Sequence, residues 1–199
     1  MPLKLITPAT LLPVTVADAE AQARCTGAGL SVQVEAYIRA ATDVAEQITG
    51  RAIMPQTWRL TLDAFPPYDA LRNPWRDIEL PRAPLQAVSK VAYINTAGAV
   101  TALANNTGYV QVDTNEVSYP LVRPPAGSDW PSTASQPDAV VIEFTAGYAS
   151  AADVPMAIKT YIYLAVNAMV QNPELFGQTQ QHGNSFVESL LHRYKIWSM

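Results

Sequence analysis

TGRAIMPQTWRLTLDAFP, residues Thr49 to Pro66, changes period in mid-course. Before it, Val34, Ile38, Ala41, Ala45 and Ile48 recur at spacings of three and four, which predicts a helix from Ser31 to Thr49 with one apolar stripe. Gly50 suits the left-handed residue that follows a helix end. Beyond it the period is two: Trp58, Leu60 and Leu62 point one way, and Thr57, Arg59, Thr61 and Asp63 the other. That is a half-buried strand closed by Phe65-Pro66-Pro67, with Pro55 in a place tolerable only at a strand start, edge or bulge. A helical fold is opened here to admit β structure.

Outward from this junction the pattern is consistent. Thr15, with Asp18 three residues on, opens a short helix that turns at Cys25 to Gly29. After Thr49 come strand candidates at Thr57 to Ala64, Asp77 to Leu80, Val88 to Asn95, Tyr109 to Val112 and Ala139 to Thr145, separated by turn-forming stretches such as PPYDALRNPW and RPPAGSDWPSTASQPD. Helical spacing returns at Pro155. Ile158, Ile162, Ala165 and Met169, with Tyr161, Leu164 and Ala168, cover more than half of a helix ending near Asn172, which should be the most buried. Gly177 to Asn184 is a polar linker. Phe186, Val187, Leu190, Leu191, Tyr194 and Trp197 then make a narrow apolar face on a final helix, Ser185 to Trp197.

The expected fold class is α+β: a small helical bundle from N- and C-terminal helices with a mainly antiparallel β-rich insertion. By residue, 1–51 is an N-terminal arm and bundle helices, 52–152 the insertion, 153–176 the buried bundle helix, and 177–199 linker and terminal helix. With 199 residues and 49% hydrophobic composition, the chain can build a real core.

A net charge of -4 supplies no global basic field, so nonspecific nucleic-acid affinity is not the expected main activity. Cys25 is the single cysteine, so no intramolecular disulfide can form, and a cytoplasmic origin fits. The N-terminus, with three prolines in its first fourteen residues, reads as an extended arm and not a signal peptide. The apolar run Ile158 to Val170 falls short of the roughly 20 residues a membrane span needs.

No catalytic constellation emerges. Cys25 has no His or acid near it in sequence, and His182 and His192 have no partners at metal-ligand spacing. Gly27 and Gly29 mimic part of a dinucleotide fingerprint, but Val32 stands where the third glycine belongs and a helix precedes them. Asp77 and Glu79, flanked by Arg76 and Arg82, read as surface charge pairs in preference to a carboxylate dyad. No metal and no cofactor is expected. Trp58, Tyr68, Trp75 and Trp130 lie in or beside the insertion, where core packing and subunit contacts explain them better than base stacking. The terminal helix can either fold back on its own bundle or dock in a groove of another subunit or protein.

Three phrases combine into a resemblance: VAEQITGRAIMPQTWRLTLDAFP (Val44 to Pro66), IELPRAPLQAVSKVAYIN (Ile78 to Asn95) and VIEFTAGYASAADVPMAIKTYIYLAV (Val141 to Val166). In this order and spacing, over about Leu5 to Asn172, the chain resembles the head-to-tail connector, or adaptor, proteins of tailed bacteriophages. Within them it looks like the branch with a β-insert found also in prophages and gene transfer agents. The resemblance implies a noncatalytic ring, commonly of twelve subunits, assembled beneath the portal in the neck of the particle. Such a ring extends the DNA channel without sequence-specific binding and offers a surface to the stopper or tail protein. On that reading Phe186, Val187, Leu190, Leu191, Tyr194 and Trp197 would dock on the portal, while Trp58, Arg59, Tyr68, Trp75 and Trp130 would serve the subunit or tail-side interface. A neck stopper or tail-completion protein is the alternative, and a small hydrolase or ligand-binding module the rival from another class.

Overall fold

A computed structural model describes residues 2–25, 29–112, 119–171 and 185–196. Among them the order is β1 (Leu3–Thr7), α1 (Val16–Ala23), α2 (Leu30–Thr49), β2 (Gln56–Leu62), β3 (Ile78–Glu79), β4 (Leu85–Ile94), β5 (Val100–Leu103), β6 (Val110–Val112), β7 (Leu121–Arg123), β8 (Val140–Ala146), α3 (Met156–Gln171) and α4 (Ser185–His192). The class is α+β, as the change of period implies. Two compact units divide the chain: a helical unit of Ala9–Met54 and Tyr148–Ile196, and a β unit built on Pro55–Gly147 and the residues up to Pro8.

In the helical unit, α1 starts where Thr15 caps it: the Thr15 hydroxyl accepts from the Asp18 amide at 3.1 Å and donates to the Asp18 carboxylate at 2.6 Å. α2 buries Val34, Ile38, Ala41 and Ala45, the stripe read from its spacing. It stops at Gly50, whose φ of 73° costs a glycine nothing and whose amide reaches the Glu46 carbonyl at 2.9 Å. Ile158, Ile162 and Val166 of α3 join the α2 stripe in one core. The burial of α3 is narrower than its composition suggests. Met156 is 69% and Leu164 38% exposed, because the partners of α3 among the described residues cover one side of it.

The last helix is shorter than its apolar spacing predicts. It ends at His192 and passes through a turn in which the Tyr194 amide donates to the Leu191 carbonyl at 2.9 Å. Leu191 is wholly buried in the core made by α2 and α3. Beyond it, the Ile196 amide donates to the Thr49 carbonyl at 2.9 Å, satisfying an acceptor left free at the end of α2. The buried Arg51 donates through Nε to the Tyr194 carbonyl at 2.6 Å.

The β unit is a five-stranded sheet of order β1-β2-β8-β4-β5 and a three-stranded sheet of order β3-β7-β6, every pair antiparallel. The stretch read as an N-terminal arm is its edge strand: Leu3 pairs with Leu60 and Leu5 with Trp58. Alternation sets the two faces. Leu60 opposes Ile142 and Leu62 opposes Val140 on the buried face, while Arg59 opposes Glu143 and Thr57 opposes Thr145 on the other. β6 and β7 carry the second sheet over the first, where the Tyr109 hydroxyl donates to the Val88 carbonyl at 3.4 Å and the Val88 amide donates to Gln111 Oε1 at 3.3 Å. Val122 of β7 and Phe144 of β8 are both wholly buried.

Candidate interaction surfaces

The residues singled out in the sequence do different jobs. Trp58 is half-buried in β2 with the Arg82 guanidinium 4.9 Å above its ring, so much of it serves the fold of the β unit. Arg59 donates from Nε and Nη2 to one Glu143 oxygen at 3.0 and 2.7 Å across the β2–β8 pair. This pair lies in a charged row on the polar face, where Lys4 opposes Arg59 and Lys90 opposes Glu143. Trp130 stacks on Phe65 at 4.5 Å and donates its indole N–H to the Arg76 carbonyl at 2.8 Å. It thereby pins the long loop before β8 to the loop after β2.

Tyr68 and Trp75 are the outward members of the group, 59% and 64% exposed. Each is held by an arginine: Arg76 lies 5.0 Å from the Tyr68 ring and Arg123 5.7 Å from the Trp75 ring. The arginines are fixed in turn by Asp129 at 2.7 Å and Asp77 at 3.0 Å. The charge pairs expected around Asp77 thus form with different partners: Arg123 arrives from β7, and Arg76 turns to Asp129.

Between Tyr68 and Trp75 runs a segment whose importance its turn-former composition hides. The Asp69 carboxylate accepts from the Leu71 and Arg72 amides at 2.9 and 3.1 Å, and the Asn73 side chain both donates to the Asp77 carbonyl and accepts from the Asp77 amide. Asp69 and Asn73 also exchange backbone bonds at 3.3 and 2.9 Å. The result is a braced turn that leaves Leu71 95% exposed. A lone leucine within PPYDALRNPW is the sequence signal for it.

On α4, Leu191 lies in the core of the helical unit and Tyr194 is half-buried against it. Leu190 is half-buried, while the side chains of Phe186, Val187 and Trp197 lie outside the described residues. Among the described residues no group of three or more His, Cys, Asp or Glu gathers, and the Cys25 thiol donates to the Glu20 carbonyl at 3.8 Å. Tyr109 has its phenol pushed above its ordinary value by burial, and Tyr163 is raised first by burial and then by the negative charge of the Asp18 carboxylate. His182, Gly27 and the polar linker lie outside the described residues.

The chain shares its fold with gene transfer agent neck chains. It matches a chain of the neck of an empty gene transfer agent particle, computed with C6 symmetry, at a TM-score of 0.78 and 24% identity. A chain of the native neck computed with C12 symmetry gives 0.70 at 23%, and one of the native virion gives 0.77 at 23%. In each case the match covers 100% of this chain and 97% of the other. No protein-family model matches the sequence, and no curated protein does. No helix among the described residues is long and apolar enough to cross a membrane.

Proposed function

We propose that the protein is a structural, non-enzymatic component of the neck of a phage-like particle, the adaptor that forms a ring of twelve copies beneath the portal. It joins the filled head to the tail and continues the channel through which DNA passes without sequence-specific contact. The observation that carries this reading is likeness over the whole chain, both units included, to chains of particle necks computed with rotational symmetry. The aromatic loop, with Tyr68 and Trp75 exposed beside their arginines, fits a protein that works through interfaces.

The terminal segment docks on the portal in this account, and the β unit supplies contacts to neighbouring copies and to the stopper or tail protein. Leu191 and Tyr194 seat α4 on its own bundle, which concentrates portal docking on Phe186, Val187, Leu190 and Trp197. The test is genetic. Cells lacking the protein should accumulate DNA-filled heads without tails, and purified protein added back should restore joining. Tailed, DNA-delivering particles from such cells would overturn the proposal, and recovery of the protein with isolated tails instead of heads would assign it to tail completion.

A further inference from the structure

Arg51, next after the glycine that stops α2, is the one Lys or Arg among the described residues that is buried, at 1% exposure. Its Nε donates to the Tyr194 carbonyl at 2.6 Å, while the buried Nη1 meets no protein acceptor among the described residues. No carboxylate among those residues stands within ion-pair distance of it. Glu46, itself buried, directs Oε1 to the Ile53 amide at 2.7 Å. A guanidinium taken out of water against a neutral carbonyl, with no paired charge, is among the costliest burials a fold can make.

The segment that covers it has little to set against that cost. Leu191 and Ile196 are buried, and the Ile196 amide donates to the Thr49 carbonyl at 2.9 Å. α4 has eight residues, too few to persist as a helix once its packing is lost, so helix and tail come away together. Opening gives up the apolar burial around Leu191 and Ile196. In return it restores water to the Arg51 guanidinium and to the Tyr194 and Thr49 carbonyls. Two large terms of opposite sign leave a small difference.

We infer that residues 185–196 form a reversible latch over Arg51, closed in the free chain and opening as a unit well before the rest of the helical unit unfolds. The buried guanidinium is what keeps the latch weak. A structural staple would behave in the opposite way: deleting the Arg51–Tyr194 bond would loosen the segment, whereas deleting the charge beneath a latch tightens it. The latch stands on these contacts alone, and the portal docking proposed above supplies only a use for the freed segment.

Native-state hydrogen exchange of the full chain tests it, with Arg51→Met as the variant, since methionine is unbranched, flexible and uncharged. In the parent, the Tyr194 and Ile196 amides, both hydrogen-bonded, should exchange roughly a hundredfold or more faster than those of Ile38, Ala41 and Ala45 in α2. In Arg51→Met the same two amides should exchange roughly tenfold or more slowly than in the parent, and the urea midpoint should not fall. Exchange at Tyr194 and Ile196 as slow as in α2 would overturn the inference, and so would faster exchange in Arg51→Met. Should that variant fail to fold, phenylglyoxal labelling of Arg51 in the parent, mapped by peptide mass, reads the opening directly. Labelling at urea concentrations well below the unfolding transition is expected, and labelling only within the transition would overturn the latch. Both measurements use the free chain, so they stand or fall without the neck. If exchange shows the latch tightened in Arg51→Met and that variant still joins heads to tails, the latch holds and the docking by α4 fails.

Discussion

Replacing Leu191 by alanine asks whether the terminal helix belongs to the bundle. Leu191 is wholly buried in the core shared by α2 and α3. Removing the outer carbons of a buried leucine costs the transfer term and the cavity left behind, about 2–5 kcal/mol. The site has little means of collapse, since the Ile196–Thr49 and Arg51–Tyr194 hydrogen bonds hold the segment beyond it in place. An eight-residue helix is not stable alone, so α4 depends on this packing. Urea unfolding followed by far-ultraviolet circular dichroism should show the midpoint fall accordingly. If α4 releases ahead of the rest, amide exchange at Ser189 to Ile196 should accelerate by the equivalent factor, roughly thirtyfold or more for a loss above 2 kcal/mol. Leu71→Ala, at a position 95% exposed, is the control and should stay within about 0.5 kcal/mol of the parent. A Leu191→Ala protein with parental stability and parental exchange in α4 would refute the packing.

Other outcomes follow from single contacts. Glu46→Ala leaves the buried Ile53 amide without the carboxylate that accepts from it at 2.7 Å, and should cost about 1–3 kcal/mol in the same unfolding assay; a loss below about 0.5 kcal/mol would show that the amide finds another acceptor. The Arg59–Glu143 pair, with side chains 42% and 23% exposed, should yield a coupling of less than about 1 kcal/mol in a double-mutant cycle, shrinking in high salt, and a larger salt-independent value would contradict a surface pair. Burial raises the Tyr109 phenol above 10.0, so the folded state resists ionisation that the unfolded chain accepts. Its contribution is intact below pH 10.0 and is lost as pH rises through the raised folded value, so Tyr109→Phe should flatten the alkaline fall of the melting temperature; identical alkaline limbs would rule this out.

Local rules carried much of the architecture. The stripe of α2, its glycine stop, the Thr15 cap, the alternation of β2 and the existence of β8 were all legible, because each depends on neighbours within a turn or on a run the chain itself displays. β1, β5 and β7 were not: Leu3–Thr7, Val100–Leu103 and Leu121–Arg123 are short, and they become strands through partners distant in sequence. α3 misled through composition, since its apolar residues exceed what the described partners cover. For the surfaces, the aromatic residues stood out by type, but which of them face outward depends on Phe65 claiming Trp130 and Arg82 claiming Trp58. Leu71 gained its interest only when the Asp69 and Asn73 bracing was seen around it.

Electron cryomicroscopy of the particle that carries this chain tests the central claim most directly, by placing the chain in density. The account predicts a closed ring of twelve copies in the neck between portal and tail, each β unit touching its neighbour and the channel running through the centre. Density for the chain in the head shell or the tail tube, or a particle whose neck lacks it, would contradict the account.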